Sequence, residues 1–147
     1  MSLRVEKLSP EEWAILSENA IKYSFGWDTW PKERFRVSYA LIVKDDETDE
    51  ICCYSTIVEM DSETAFMQHG GNSPTAKGNV KTTRGYLMML NYLRELYKTI
   101  QTTIWNKNKP MLKLAWAGDF VIKGVITDKL GDILLLHEID TETKDAR

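Results

Sequence analysis

The stretch NSPTAKGNVKTTRGYLMMLNYLRELY, Asn72 to Tyr97, decides how the rest of the chain is interpreted. A polar loop runs directly into a long segment in which apolar residues recur at helical spacing. The residues predicted to form its apolar face are Val80, Thr83, Leu87, Leu90, Tyr92 or Leu93, and Tyr97. The stretch therefore predicts an amphipathic helix that a glycine- and lysine-containing loop introduces.

The start of this helix is a candidate anion site. Backbone N–H groups at a helix N-terminus have no partner within the helix, and the helix dipole favours negative charge there. The residues predicted to form the site are Lys77, Gly78, Asn79, Val80, Lys81, Thr82 and Thr83, with Arg84 adding charge. The simpler alternative, a solvated loop that Asn79 merely caps, remains open.

Composition limits the class of protein. The 147 residues suit one domain, numbered 1–147 with a frayed tail over about 141–147, and 43% are hydrophobic. A net charge of −3 argues against a general nucleic-acid binder, and no apolar run is long enough to span a membrane. The two cysteines, Cys52 and Cys53, are adjacent and predict small strand hydrophobes rather than a disulfide framework or a metal site. These features predict a cytoplasmic protein.

The flanking segments predict an α+β domain with a mixed central sheet flanked by helices. A first strand over 4–7 precedes a helix that starts at Ser9, with Pro10 at its first position and Glu12 completing a capping box. Two strands then follow, joined by the acidic run DDETDE, which is predicted to be a solvated hairpin turn, and a third strand covers 63–69. After the long helix, the pattern predicts a strand, a short helix and two last strands. The predicted order is β-α-β-β-β-α-β-α-β-β.

The loop and the element order resemble the GNAT superfamily of N-acyltransferases. The pyrophosphate loop of that family reads Pro-x-x-[Gln/Arg]-x-x-Gly-x-[Gly/Ala] before a helix. Here Pro74 matches and Lys77 stands at the basic position, whereas Val80 and Thr82 replace the two small residues. Glycines there let N–H groups approach a pyrophosphate, so Val80 departs from the pattern.

A second resemblance lies in NKPMLKLAWAGDF, residues 108–120, which is similar to Asn-x-x-Ala-x-x-Leu-Tyr-x-x-x-Gly-Phe of the same family. Asn108, Leu114 and Phe120 match this pattern. Pro110 opens the short helix predicted here, in which Met111, Leu114 and Ala115 are predicted to point inward. Ala115 stands where the family often has a tyrosine that serves as general acid, and the neighbouring Trp116 has no acidic proton to replace it. Asp119 occupies the usual glycine position.

The resemblance implies binding of acetyl-CoA and acetyl transfer to a small-molecule or peptide amine. It places the pyrophosphate at residues 77–83, adds Asn108 to the cofactor site, and puts the pantetheine on the strand backbone at Met67, Gln68 and His69. Glu59 and His69 are the candidate bases that would deprotonate the acceptor. For each of them a structural role is the alternative: a hydrogen-bonded histidine at a strand end, and a solvated carboxylate beside a turn.

With these departures at Val80 and Ala115, the chain resembles a degenerate branch of the family found among phage and prophage proteins. That resemblance implies a non-catalytic, virion-associated protein that binds a protein partner, through a surface around Trp27, Trp30 and Phe35. An α+β domain unrelated to the family is a third possibility. The substrate, the oligomeric state and the survival of catalysis stay open.

Overall fold

A computed structural model describes residues 2–18, 36–73 and 80–141 of the chain. These residues form seven strands and three helices. In chain order they are β1 (Leu3–Leu8), α1 (Pro10–Leu16), β2 (Tyr39–Asp45), β3 (Ile51–Glu59), β4 (Thr64–Asn72), α2 (Val80–Leu96), β5 (Thr99–Trp105), α3 (Lys109–Ala117), β6 (Val121–Thr127) and β7 (Ile133–Asp140). The predicted order of elements is confirmed.

The strands form one mixed sheet in the order β1-β2-β3-β4-β5-β7-β6. Strands β1, β2 and β3 pair antiparallel in sequence, whereas β4 and β5 pair in parallel. β7 pairs antiparallel with both β5 and β6, which leaves β6 at one edge and β1 at the other. This mixed sheet with flanking helices confirms the predicted α+β class.

The backbone contacts divide the chain into two compact units. One comprises 1–58 and 69–89, and the other comprises 59–68 and 90–147. The first unit has a core of Trp13, Ala40, Ile42 and Tyr54, with the Trp13 and Tyr54 rings 4.9 Å apart. In the second, the parallel β4–β5 ladder and the β5–β7–β6 ladder bury Ile100, Ile104 and Ile139.

Helix α1 begins where the sequence predicts, because a capping box forms. The Glu12 N–H donates to the Ser9 hydroxyl at 3.1 Å, and the Ser9 N–H donates to the Glu12 carboxylate at 3.0 Å. Pro10 occupies the first turn, where its missing N–H costs no helical hydrogen bond. The helix buries Trp13. The predicted helix continues beyond residue 18, but that part lies outside the described residues, as do Trp27, Trp30 and Phe35.

The predicted apolar face of α2 is partly wrong. Val80 is 62% exposed and Thr83 is exposed, whereas the predicted Leu90, Leu93 and Tyr97 are buried. The buried face of the first two turns instead consists of Thr82, Gly85, Tyr86 and Met89. A Cβ added to Gly85 would lie 2.6 Å from the Cys53 sulfur, so the helix approaches β3 where a glycine gives it room.

Two further predictions need correction. The short helix α3 buries Leu112 and Ala115, whereas Met111 and Leu114, predicted to point inward, are only half-buried. The acidic turn is not simply solvated. Two of its carboxylates pair with Arg4 of the edge strand β1: Nη1 lies 2.7 Å from Asp46, and Nη2 lies 2.6 Å from Asp49. The Arg4 Nε–H also donates to the Glu6 carboxylate at 3.0 Å. This Arg4 cluster fixes the turn against the sheet edge.

Candidate functional site

The first turn of α2 carries the described part of the predicted anion site. Lys77, Gly78 and Asn79 precede the described residues of the helix, so their predicted roles stay predictions. Of the residues that are described, Val80 and Thr83 point to solvent, whereas Thr82 is buried. The exposed position of Val80 explains how a branched residue is accommodated where the family pattern has glycine.

The Lys81 ammonium already has a partner. Its Nζ lies 2.8 Å from Oδ2 of Asp45, a carboxylate that is only 3% exposed at the end of β2. The other oxygen of Asp45 accepts the Glu47 N–H at 2.8 Å. The contact with Lys81 holds the pKa of Asp45 below its usual range, and it raises the pKa of Lys81. A phosphate at this helix start would therefore share the lysine with Asp45.

Strand β4 contains the residues predicted to bind pantetheine. The parallel pairing of β4 with β5 ends at Met67, which lies opposite Thr102, whereas β4 itself continues to Asn72. The Thr102 hydroxyl donates to the Met67 carbonyl at 2.9 Å, and the Thr56 hydroxyl donates to the His69 carbonyl at 3.3 Å. Met67 is buried, whereas Gln68 and His69 are half-buried. The end of the parallel ladder thus coincides with the predicted segment.

His69 is one of the two candidate bases. Its ring lies edge-on to Tyr54, with centroids 6.0 Å apart. Burial lowers the pKa of the imidazole, because the charged form loses hydration. The ring is therefore neutral near pH 7, which is the form that accepts a proton.

Glu59 lies in different surroundings. It ends β3 beside a hairpin closed by the Met60 N–H donating to the Thr64 carbonyl at 2.9 Å, and it is exposed. The Tyr97 hydroxyl donates to its carboxylate at 2.6 Å. Glu59 belongs to the second compact unit and His69 to the first.

Asn108 and Ala115 take structural positions in α3. Asn108 is the N-cap, and its side-chain oxygen accepts the Met111 N–H at 3.3 Å. Ala115, at the usual tyrosine position, is fully buried. The sequence therefore supplies no hydroxyl at this point of the helix.

The structure reveals a contact between Trp116 and His137 that sequence reasoning did not identify. The indole Nε1–H donates to His137 Nε2 at 3.1 Å, and His137 Nδ1 lies 3.0 Å from the Leu135 carbonyl. Since Nε2 accepts, Nδ1 carries the proton and donates to that carbonyl. His137 is fully buried with both nitrogens bonded. A histidine within the apolar run DILLLHEI was the available signal, since a buried imidazole needs partners.

The end of α3 explains the departure at Asp119. This residue has φ +72°, a left-handed conformation that favours glycine. The Arg94 guanidinium donates to the Gly118 carbonyl at 2.6 Å and lies 3.4 Å from the Asp119 carboxylate. The aspartate is held in the conformation for which the family pattern has glycine.

The cysteines show no sign of reactivity. Both are free and buried, which agrees with the prediction of small strand hydrophobes. Burial raises the pKa of Cys53 to about 12 and raises that of Cys52, so both are thiols near neutral pH. Neither supplies a nucleophile.

Within residues 2–18, 36–73 and 80–141, no three His, Cys, Asp or Glu side chains are grouped as a metal ion would require. In the same part of the chain, no helix combines the length and apolarity needed to cross a membrane.

Comparison with solved structures shows the fold. A chimera of the spermidine N-acetyltransferase SpeG from Vibrio cholerae and hSSAT matches with a TM-score of 0.77 and 10% identity, covering 100% of both chains. A GNAT-family acetyltransferase from Bacillus cereus matches with a TM-score of 0.65 and 18% identity, covering 95% of this chain and 98% of that one. The ribosomal-protein-S5-alanine acetyltransferase from Vibrio fischeri matches with a TM-score of 0.71 and 11% identity, over 97% and 94%.

No protein-family model and no curated protein sequence matches the chain. The structural likeness nevertheless spans the whole chain, and the similar structures are GNAT acetyltransferases. The chain therefore has the GNAT fold.

Proposed function

We propose that the protein is an N-acetyltransferase that takes its acetyl group from acetyl-CoA and transfers it to an amine. The observation that carries the proposal is the full-length match of its fold to acetyltransferases. The end of the parallel ladder at Met67 and Thr102 supports it, because the predicted pantetheine segment begins there. Two thiols that are free also agree with a cytoplasmic setting.

The proposed cofactor contacts lie on three segments of the chain. Backbone N–H groups from 77–83 would hold the pyrophosphate, with Lys77 and Lys81 adding positive charge. The backbone of β4 at 67–69 would pair with the amides of pantetheine as an added strand does. Asn108 would act from the start of α3, where its side chain also caps the helix.

The proposed reaction needs one base. His69, kept neutral by burial, would take the proton of the acceptor ammonium. The amine nitrogen would then attack the thioester carbonyl, so that a C–N bond forms and the C–S bond breaks. The nitrogen would then lose its second proton to water, and the CoA thiolate would take a proton from water, since Ala115 supplies none; the lack of a positioned acid costs on the order of 10²-fold in rate. Glu59 is the second candidate base.

A non-catalytic phage or prophage protein on the same fold is the second candidate function. The observations that favour it are the branched Val80 in the first turn of α2 and the buried Ala115 at the tyrosine position. Such a protein would bind a protein partner and have no affinity for CoA.

Calorimetric titration of acetyl-CoA separates the two functions. We expect micromolar binding by the native chain, weakened in Lys77→Ala/Lys81→Ala, because that variant removes two positive charges at the helix start. Lys113→Ala/Lys129→Ala is the matched control, since it removes two exposed lysines elsewhere.

Heat equal to dilution at millimolar acetyl-CoA would overturn the enzyme proposal and favour the protein-binding function. Equal weakening by both double variants would show that net charge, rather than the predicted site, governs binding. If the site binds, CoA release should then be assayed with spermidine and with peptide N-termini, the acceptor classes that the names of two similar enzymes suggest.

A further inference from the structure

The sheet of the second compact unit has one covered face and one open face. Buried positions of β5 alternate with half-buried ones: Ile100, Thr102 and Ile104 against Thr99, Gln101 and Thr103. The alternation continues on β7, where His137 opposite Thr102 is buried and Glu138 opposite Gln101 is half-buried. The indole of Trp116 on α3 contacts His137, so α3 lies on the covered face. The face that carries Gln101 and Glu138 is called the open face below.

The open face carries one half-buried carboxylate. The Gln101 Nε2–H donates to Oε2 of Glu138 at 3.0 Å. In the part of the chain that the structure describes, no ammonium or guanidinium forms an ion pair with Glu138. An amide donor orients a carboxylate but leaves its negative charge in place, and a carboxylate that has lost part of its hydration is stabilised by a cation. Glu138 is therefore placed to bind a positively charged ligand.

The charges around Glu138 agree with this. At the positions of β4, β5 and β7 whose register places them on the open face, the side chains are neutral except for Glu138 and Asp140. On the edge strand β6, a register shift between Ile122 and Gly124 leaves Lys123 without an opposite residue on β7. The ion pairs of the described residues do not join Lys123 to Glu138. The open face therefore attracts cations rather than anions.

The neighbours of Glu138 suit an aliphatic chain. Phe66 lies opposite Gln101 in the parallel ladder, and Leu136 lies two residues from Glu138 on the same face of β7. Both side chains are apolar and half-buried. An alkyl chain lying across them would remove methylene groups from water while its ammonium group reached the carboxylate. Charge and apolar contact together fit an aliphatic amine.

Glu138 lies close to the end of the parallel ladder but not at it. Adjacent strands are spaced so that Glu138 on β7 is separated from β4 by two strand intervals, about 10 Å. The proposed pantetheine segment begins on β4 at Met67, the residue after Phe66. An amine nitrogen at the thioester would therefore be too far away to contact Glu138 itself. A second charged group on the same molecule could make that contact.

We propose that the acceptor of this protein is an aliphatic amine with a second positive charge, which Glu138 binds while Gln101 positions its carboxylate. The reacting nitrogen would lie at the end of the parallel ladder, and the second charge would lie on the open face. The inference rests on the proposed acetyl transfer and adds to it the class of acceptor and the residue that selects it.

Calorimetry with 1,4-diaminobutane and n-butylamine tests the site without acetyl transfer, since these probes share a four-carbon chain and differ by one ammonium group. With CoA present, the full chain should bind the diamine at least about fivefold more tightly than the monoamine. Glu138→Gln should abolish this preference, because it removes the charge and keeps the size. Glu95→Gln is the matched control: Glu95 is an exposed glutamate on α2, so the preference should remain.

Gln101→Met tests the positioning role, because it removes the amide donor and keeps the length of the side chain. It should reduce the preference for the diamine and leave the affinity for n-butylamine unchanged. An unaltered preference would overturn the role of Gln101. Circular dichroism verifies that each variant is folded, and Glu138→Thr, which suits a strand, replaces Glu138→Gln if that variant is not.

Equal affinity of the native chain for both probes would overturn the proposal, as would a preference that survives Glu138→Gln or that Glu95→Gln also removes. Release of CoA from acetyl-CoA separates this proposal from the proposed function. A preference that depends on Glu138, without CoA release from either amine, would overturn acetyl transfer and leave the cation site standing. Release with equal kcat/KM for both amines would overturn the acceptor class and leave acetyl transfer standing.

Discussion

At the scale of single residues, Gly85 shows how one position sets the packing of a helix. The position is buried, and the nearest atom to an added Cβ is the Cys53 sulfur, which belongs to a fully buried residue of β3. Val43 follows at 3.5 Å from the same position. Any side chain at 85 must therefore push the helix away from the sheet or displace the thiol.

Gly85→Ala should lower the free energy of unfolding by about 1–3 kcal/mol through overpacking, even though alanine is the better helix former. The measurement is denaturant unfolding of Gly85→Ala, Cys53→Ala and the double variant. Because Cys53→Ala removes the colliding sulfur, the double variant should be more stable than the sum of the two single effects predicts. Strict additivity would show that the sulfur does not limit the approach of the helix.

Asp119 illustrates what sequence reasoning can find without its cause. The sequence shows that an aspartate stands where the family pattern has glycine, but only the backbone angle explains the preference. The capping box of Ser9 and Glu12 is the opposite case, because all of its partners lie within four residues and its chemistry is local.

At the scale of elements, local sequence patterns predict the strands and helices well. Contacts between residues distant in sequence determine which faces are buried and which side chains pair. The predicted apolar face of α2 is wrong at Val80 and Thr83, because the contact with β3 is made through Gly85, which carries no apolar side chain. The Lys81–Asp45 pair joins residues 36 positions apart, so no spacing rule indicates it. The same is true of Trp116 on α3 and His137 on β7, which are 21 positions apart in sequence.

The Asp45–Lys81 pair ties the first turn of α2 to the end of β2, and it predicts opposite effects on stability and binding. Asp45→Asn should lower the denaturant midpoint, because it removes the partner of the lysine. If Lys81 contacts the pyrophosphate, the same change should tighten acetyl-CoA binding by up to about fivefold, since the lysine no longer divides its charge.

Calorimetry with Asp45→Asn in the native background and in Lys81→Ala checks this coupling. The gain in affinity should vanish when Lys81 is absent. If Asp45→Asn still raises the affinity when Lys81 is replaced by alanine, the gain comes from the lost negative charge of Asp45 alone.

At the scale of the whole molecule, the shifted pKa values predict two acid phases of destabilisation. His69 has a lowered pKa when folded, so below its unfolded value of about 6.5 the unfolded chain binds the proton first and stability falls. Asp45, Asp46 and Asp49 also have lowered pKa values, through Lys81, Ser2 and Arg4, so their contribution is lost only as the pH falls below about 3.9.

Denaturant unfolding at a series of pH values should therefore show a shallow decline below about pH 6.5 and a steeper one below about pH 4. His69→Gln should remove the upper decline and leave the lower one. If the native protein and the His69→Gln variant lose the same amount of unfolding free energy between neutral and mildly acidic pH, protonation of His69 is not coupled to folding.

The Arg4 cluster has a consequence for assembly size. A sheet with two open edges can add molecules at both ends and grow into a fibre. Here β1, at one end, carries a guanidinium bound to three carboxylates, and Lys7 lies 4.5 Å from the Tyr39 ring. A second β1 would bring the same charges into contact and strip them of water. Addition of a further strand at the β1 edge is thus opposed by charge, so the sheet does not grow from this edge.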